Sequence, residues 1–307
     1  MALRFSTSLV CRFTHWSSSR GPDMADAIAG IDHLLIDSSD LEADRTVWER
    51  LGFTMTPRGR HPQWGTGNYC TMFNQGYLEL IGVVDAAEFA ANASRRGSRK
   101  QGPGLSAIAF ATADAYAARD TLVEAGIAAD STKDLSRLLE GDEGTTEPRF
   151  DILHLPPDAT PATPMFLCRH RTPDLVRRPG WMDHANGVTA ILSVTVPVSD
   201  PLAMVSHHER LVGPSAVAVT DEIVTLHLGH ETVMLARHDD LLALYPELVP
   251  ETDDGACPAV VTLSVADLEA TTAYLRGASV PVVRDARAVM VAAEDACGIA
   301  MVFEQAP

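Results

Sequence analysis

Residues 30–53 read GIDHLLIDSSDLEADRTVWERLGF, and this stretch decides the fold. An apolar run from Ile31 to Ile36 gives way to Asp40, whose carboxylate can accept hydrogen bonds from the unpaired first-turn amides of a helix. About three helical turns later Gly52 stands where a left-handed C-terminal residue without a Cβ costs least. The same order of strand, aspartate, helix and glycine recurs in GLSAIAFATADAYAARDTLVEAGI (104–127), AILSVTVPVSDPLAMVSHHERLVG (190–213) and AVVTLSVADLEATTAYLRGASV (259–280). Asp40, Asp114, Asp200 and Asp267 are expected to start four helices, and Gly52, Gly126, Gly213 and Gly277 to stop them.

After each helix come short β-rich runs, YCTMF and GYLELIGV, RFDILHL and PMFLCRH, IVTLHL and ETVMLAR, RAVMVAA and IAMVFEQ, set apart by Gly, Asn, Pro or Asp. The unit is βαβββ, four times over. One unit has a single apolar sheet face and cannot bury it alone, so units one and two are expected to share one α+β domain, and units three and four another. A chain of 307 residues suits two domains of ordinary size. The Pro-rich stretch 172–180 is the natural linker, which sets the domains at 28–171 and 181–307. Residues 1–27 form a separate leader, with Arg4, Arg12, Arg20, many serines and no acid before Asp23. It reads as an upstream translation start, with Met24 the favoured beginning over Met1, or less favourably as a mitochondrial transit segment.

Apolar residues make up 46% of the chain and charged residues 21%, and no apolar run approaches the ~20 residues that span a bilayer, so no membrane partner is expected. The formal charge of -17 repels a phosphate backbone, and no Lys/Arg stripe interleaved with aromatics offsets it, which argues against nucleic acid. Cys11, Cys70, Cys168, Cys257 and Cys297 lie far apart with no CxxC pair, a usage that fits a reducing cytoplasm.

The paired βαβββ pattern resembles the vicinal-oxygen-chelate superfamily over nearly the whole chain after residue 28. GRHPQWGTGN (59–68), GYLELIGV (76–83) and HANG (184–187) are similar to its glyoxalase-like branch. The resemblance implies that the first and fourth strands of a unit carry metal ligands into a cleft between paired units, and His33 and Glu79 fall on those strands. By alternation His33 shares a face with Ile31 and Leu35, an odd place for an imidazole without a partner. Glu79 interrupts YLELIGV in the same way, and a buried unpaired carboxylate costs several kcal/mol unless a cation or donors compensate it.

In unit two Ala107 stands opposite His33, so a ligand often supplied by that first strand is absent. The candidates for a third ligand are His170 and Cys168 on the fourth strand and His154 on the strand before it. His170 is preferred, because two imidazoles and a carboxylate hold a divalent Zn, Fe, Mn or Co ion and leave positions open for substrate. In the second domain Ser193 and Val260 take the place of His33 and only Glu304 is ligand-like. That domain is expected to bind no metal, and to cap the cleft or mediate a homodimer. Its Asp221, Glu222, His227 and His230 read as strand-end polar residues, and His207 and His208 as a helix surface.

Around the site, Arg58 and Arg60 can hold a substrate carboxylate, His61 can shuttle a proton and Asn68 can bind a carbonyl or enolate oxygen. The alternative is a glycine-bent surface loop with solvated arginines. His184 and Asn186 can reach back to the cleft as substrate contacts, or Asn186-Gly187 is simply a turn. The resemblance implies a metal-dependent lyase, isomerase or epimerase acting on a small oxygenated substrate, with Glu79 or His61 as the base. A metal-free binding or resistance protein is the alternative from another class. An Fe(II) extradiol dioxygenase is disfavoured, because in that group the second histidine and the glutamate come from the later unit.

Overall fold

The computed structural model describes residues 24, 27–62, 64–92, 102–141, 144–249 and 257–306. Residues 1–23 of the expected leader, and with them Cys11, lie outside the described residues.

The first half contains β1 (Gly30–Ser38), α1 (Leu41–Arg50), β2 (Gly59–His61), β3 (Thr66–Met72), β4 (Tyr77–Val83), α2 (Ala86–Ala91), β5 (Gly104–Ala111), α3 (Ala115–Glu124), β6 (Lys133–Ser136), β7 (Leu138–Gly141), β8 (Gly144–Thr146), β9 (Arg149–His154) and β10 (Met165–His170). Its strands form one sheet in the order β6-β9-β10-β5-β1-β4-β3-β2-β7-β8. The second half contains β11 (Val188–Pro197), α4 (Val205–Val212), β12 (Val217–Thr220), β13 (Ile223–Leu228), β14 (Glu231–Ala236), α5 (His238–Leu244), β15 (Ala259–Val265), α6 (Leu268–Gly277), β16 (Val283–Arg284), β17 (Ala288–Val291) and β18 (Ile299–Gln305). Its sheet runs β12-β13-β14-β11-β15-β18-β17-β16.

The fourfold repeat is visible in the pairing. In every unit the first strand lies parallel to the last, as β1 with β4, β5 with β10, β11 with β14 and β15 with β18. Units then join through their first strands, β1 antiparallel to β5 and β11 antiparallel to β15. The architecture is therefore the expected α+β arrangement of two tandem paired-unit sheets.

Asp40, Asp114 and Asp267 accept hydrogen bonds from the first-turn amides of α1, α3 and α6. Asp200 accepts from Ala203 N at 3.1 Å and so caps the short 3-10 turn that leads into α4. Gly52, Gly126 and Gly213 take positive φ as expected, but α6 runs through Gly277 and the left-handed position falls on Ser279, at φ 57. The helix is longer than the glycine suggested, and the serine bears the steric cost instead.

The β6-to-β10 region departs most from the simple unit. β6 pairs with β9 at one end of the first sheet, whereas β7 pairs with β2 at the other, yet only Arg137 separates β6 from β7. The sheet must curl until its two ends meet, and the segment 133–141 straps them together across the enclosed face.

The helix sides of both sheets share one core, with Leu34, Trp48, Leu80 and Phe110 of the first half continuous with Val194, Val261, Leu263 and Phe303 of the second. The opposite faces hold separate cores, one around Cys70, Tyr77 and Phe166, the other around Leu241, Val260 and Val302. Among the described residues no helix is long and apolar enough to cross a membrane.

Candidate metal and substrate site

The enclosed face of the first sheet is where the polar residues gather. On β1 the register slips between Ile31 and His33, so two residues of β1 oppose one of β5, with Asp32 the extra residue. His33 joins Leu35 on the cleft side while Ile31 packs in the helix-side core. This corrects the expectation that Ile31 and His33 share a face. Because of the bulge, Asp32 also reaches the site: its Oδ1 lies 2.6 Å from His33 Nδ1 and 3.0 Å from His170 Nε2. Burial acts to raise the Asp32 pKa, but the charges and hydrogen bonds of His170 and His33 outweigh it and hold the carboxyl well below the usual range.

On β4, Glu79 alternates with Tyr77 and Ile81 towards the cleft. Its Oε2 lies 3.5 Å from His33 Nε2, and its Oε1 accepts a hydrogen bond from Asn68 Nδ2 at 2.7 Å. The His33 ring stacks on Tyr77 with centroids 4.4 Å apart and meets the edge of Phe166 at 5.5 Å. A neutral His33 that donates from Nδ1 to Asp32 carries its lone pair on Nε2, the nitrogen that faces Glu79. A carboxylate behind one ring nitrogen and a second carboxylate before the other is a donor arrangement suited to a divalent metal. Asp32, His33 and Cys168 also offer ligand atoms within 4.8 Å of one another. Burial, then Asp32 and Glu79, push the Cys168 thiol well above its ordinary pKa, so without a cation it stays neutral.

His33, Glu79 and Asn68 are brought together, and His170 adjoins them through Asp32 with its own Nδ1 buried and unpartnered. His61 is buried on the cleft side of β2, 3.1 Å from Thr66 Oγ1 through Nδ1, and desolvation lowers its pKa to about 4. His154 packs on the Phe166 ring, which also meets His33, and makes no contact with Glu79 or Asp32 among those described. Arg58 and Arg60 are not brought to the cleft: Arg58 is exposed and 3.5 Å from Glu42 of α1, and Arg60 points away between the inward Gly59 and His61.

The structure places His184 and Asn186 at the joint between the halves, with their side chains bonded to the first half and to the start of β11. His184 Nδ1 accepts from Thr54 N at 3.1 Å, its Nε2 donates to Met72 O at 2.9 Å, and Phe53 and Phe73 meet the ring edge-on. Asn186 donates to Leu51 O at 3.0 Å and accepts from Val188 N at 3.1 Å, so both ends of its amide are used. Of the two α4 histidines only His207 reaches the surface, and it is half-buried. His208 is fully buried, which corrects the reading of both as surface residues.

Two further residues of the site were not anticipated. Asp32 carried the same signal as Glu79, an acid inside an apolar strand. Arg137 sits between two short runs that the strand pattern did not mark, and its guanidinium points from the strap to Cys70 Sγ at 3.1 Å. The equivalent face of the second sheet is filled by its own chain: Leu241 of α5, Leu248 and Val249 pack on Val260, Ala300 and Val302.

A family model described as a glyoxalase-like domain matches residues 31–212, from β1 through the joint to the end of α4. A hypothetical protein from Staphylococcus aureus superposes with a TM-score of 0.61 at 14% identity, over 90% of this chain and 99% of that one. A xylose isomerase-like TIM barrel/4-hydroxyphenylpyruvate dioxygenase fusion protein gives a TM-score of 0.50 at 15% identity, over 85% of this chain and 40% of that one. A methylmalonyl-CoA epimerase from Mycobacterium tuberculosis gives 0.36 at 17% identity, over 50% of this chain and 95% of that one. At such identities the likeness to the first two is one of fold. No curated protein matches the sequence.

Proposed function

Because the chain belongs to the glyoxalase-like domain family, we propose that its first half is a metal-dependent enzyme site, a lyase, isomerase or epimerase acting on a small oxygenated metabolite. The observation that carries this reading is the buried pair of His33 Nε2 and Glu79 Oε2, 3.5 Å apart, with Asp32 2.6 Å behind the imidazole. His33, Glu79 and one ligand from β10 would hold the metal, which when bound supplies Lewis-acid polarisation of substrate oxygens. The β10 ligand is His170, after its Nε2 leaves Asp32, or Cys168, already grouped with His33 and Asp32. A thiolate ligand favours zinc, whereas an all-nitrogen-and-oxygen set suits iron, manganese or cobalt as well.

The chain's own groups divide the remaining work. Asp32 fixes the ring and tautomer of His33. Asn68 holds one Glu79 oxygen, so the other faces His33 and the cleft. A proton taken from the carbon beside a substrate carbonyl passes to Glu79 or to His61. His61 is neutral near pH 7, with a pKa of about 4, so its lone pair is available but weakly basic. Tyr77, whose pKa burial raises well above its ordinary value, keeps its hydroxyl proton and can donate. Strap and curled sheet together exclude water from these exchanges.

Metal analysis of purified protein, beside His33→Ala and Glu79→Gln, tests the reading. Near-stoichiometric metal in the parent and its loss from both variants is expected. A parent that takes up none of Zn, Mn, Co or Fe(II) overturns it in favour of a metal-free binding protein. Turnover in a screen of 2-oxoaldehydes, 2-hydroxyacids and catechols then identifies the reaction, and iron-dependent catechol cleavage would assign an extradiol dioxygenase instead.

A further inference from the structure

Arg137 is a buried cation that the proposed metal chemistry does not use. It is 3% exposed, and its guanidinium lies beneath the strap against the cleft face. Nη1 donates to Cys70 Sγ at 3.1 Å, Cζ stands 5.7 Å from the centre of the Phe150 ring, and Nε has no partner. Neither contact neutralises it, since burial pushes the Cys70 thiol up to about 11 and the thiol therefore stays uncharged. Glu79 acts on Arg137 through its charge, but one of its oxygens is held by Asn68, and among the described residues no carboxylate lies within ion-pair distance of Arg137. A buried guanidinium with no anion in direct contact is costly to the fold and suits a place where an anion arrives from outside.

A second unsatisfied atom adjoins it. Asn68 gives its Nδ2 to Glu79 and leaves its buried Oδ1 without a donor. Arg137 and Asn68 converge on Gly59: a Cβ there would collide with Asn68 Oδ1 and come within 3.3 Å of Arg137 Cδ. One unpartnered cationic donor and one unpartnered acceptor thus lie on side chains that both reach Gly59 and the Cys70 sulfur on the cleft face, and Asn68 is itself bonded to Glu79.

We propose that Arg137 binds the carboxylate of the substrate, with Asn68 Oδ1 accepting from a hydroxyl on the adjacent carbon, so that the substrate is a small 2-hydroxy carboxylic acid. The inference rests on the first half being the substrate site and not on the identity of the metal. Arginine suits the role because its planar fork matches a carboxylate, and in a dry site such a pair is strong. Arg58 and Arg60, the arginines that the loop sequence offered for this task, lie elsewhere, and the strap brings in Arg137 instead.

Calorimetric titration of the metal-loaded protein with lactate, propionate and methyl lactate tests the assignment. Lactate is expected to bind tightest, propionate more weakly for want of the hydroxyl, and the uncharged ester weakest. In Arg137→Gln, lactate affinity falls about 30-fold or more while the ester is unchanged, as removal of one partner of a buried charged pair requires. Metal content should stay at the parent level, and the unliganded variant should melt no lower than the parent because an unpaired charge has been removed. Arg137→Lys, which keeps the charge and loses the fork, should fall between the two and serves if the glutamine variant does not fold. Equal binding of lactate and methyl lactate, no saturation by either acid, or a glutamine variant that binds lactate like the parent overturns the proposal. Metal content in the same preparations reads the metal site separately, so failure of one reading is not mistaken for failure of the other.

Discussion

Asp32→Asn is the sharpest single test of how the site is held. The carboxylate receives His33 Nδ1 at 2.6 Å and His170 Nε2 at 3.0 Å on the same oxygen, inside a nearly dry strand pair. Asparagine keeps the shape and one acceptor oxygen but not the charge. Hydrogen bonds to a charged group contribute about 1.5–3 kcal/mol against about 1 kcal/mol for neutral pairs, so weakening two of them removes roughly 2 kcal/mol. With an unfolding entropy near 2.1 cal/mol/K per residue, a chain of 307 residues that melts as one body would lose about 3 °C. Metal affinity should drop about 10- to 100-fold, as it does when the carboxylate behind a ligating histidine is removed. The depressed pKa adds a pH signature. A carboxyl whose folded pKa lies below its unfolded value of 3.8 contributes stability that is present above pH 3.8 and lost as pH falls through the folded value. That part of the acid unfolding should vanish in the variant. Circular-dichroism melts from pH 7 to pH 2, with zinc titrations at pH 7, measure both effects. An asparagine variant that melts like the parent and binds zinc as tightly would refute the role assigned to Asp32.

Two further outcomes follow from residues outside the cleft. His208 is wholly buried with neither ring nitrogen partnered, and burial lowers its pKa from 6.5 to about 4. The unfolded chain binds a proton there below about pH 6.5 and the folded chain does not until about pH 4, so stability declines across that window by at most about 3 kcal/mol. In His208→Leu this decline should be absent, and urea melts of the two proteins at pH 7 and pH 4.5 that shift in parallel would show the histidine to be irrelevant. His184→Ala removes the clasp to Thr54 N and Met72 O and should destabilise by about 2–4 kcal/mol, yet leave metal content unchanged. Loss of metal in a folded His184→Ala protein would place this residue in the site after all.

The fold was legible because the repeat is written in residues with strict backbone roles. An aspartate that must cap and a glycine that must turn left-handed survive as letters, and only the last stop was displaced, to Ser279. His33 and Glu79 were legible for a similar reason, since each is a polar group in an apolar strand. Asp32 carried the same signal, but its place in the site was not legible, because alternation sends neighbours to opposite faces and the bulge that overrides it leaves no mark in the sequence. Arg137 was missed because KDLSRLLEG lacks the apolar run of a buried strand, and because no local pattern says that its two halves pair at opposite ends of a sheet. The arginines of the loop 58–68 misled in the other direction: β2 alternates, so Arg60 between two inward residues is bound to face out.

The strap has a consequence for how the molecule keeps company with its own kind. The first sheet ends in β6 and β8, four and three residues long, and the second in β12 and β16, four and two residues long. Exposed strand edges are where chains recruit one another into continuous sheets, and short or charged edges offer little template. Among the described residues, eighteen strands thus leave no terminal run longer than four residues open to strand addition. A point change that lengthens β12 or frees β7 from β2 would be felt first as aggregation on storage, before any loss of metal or substrate binding.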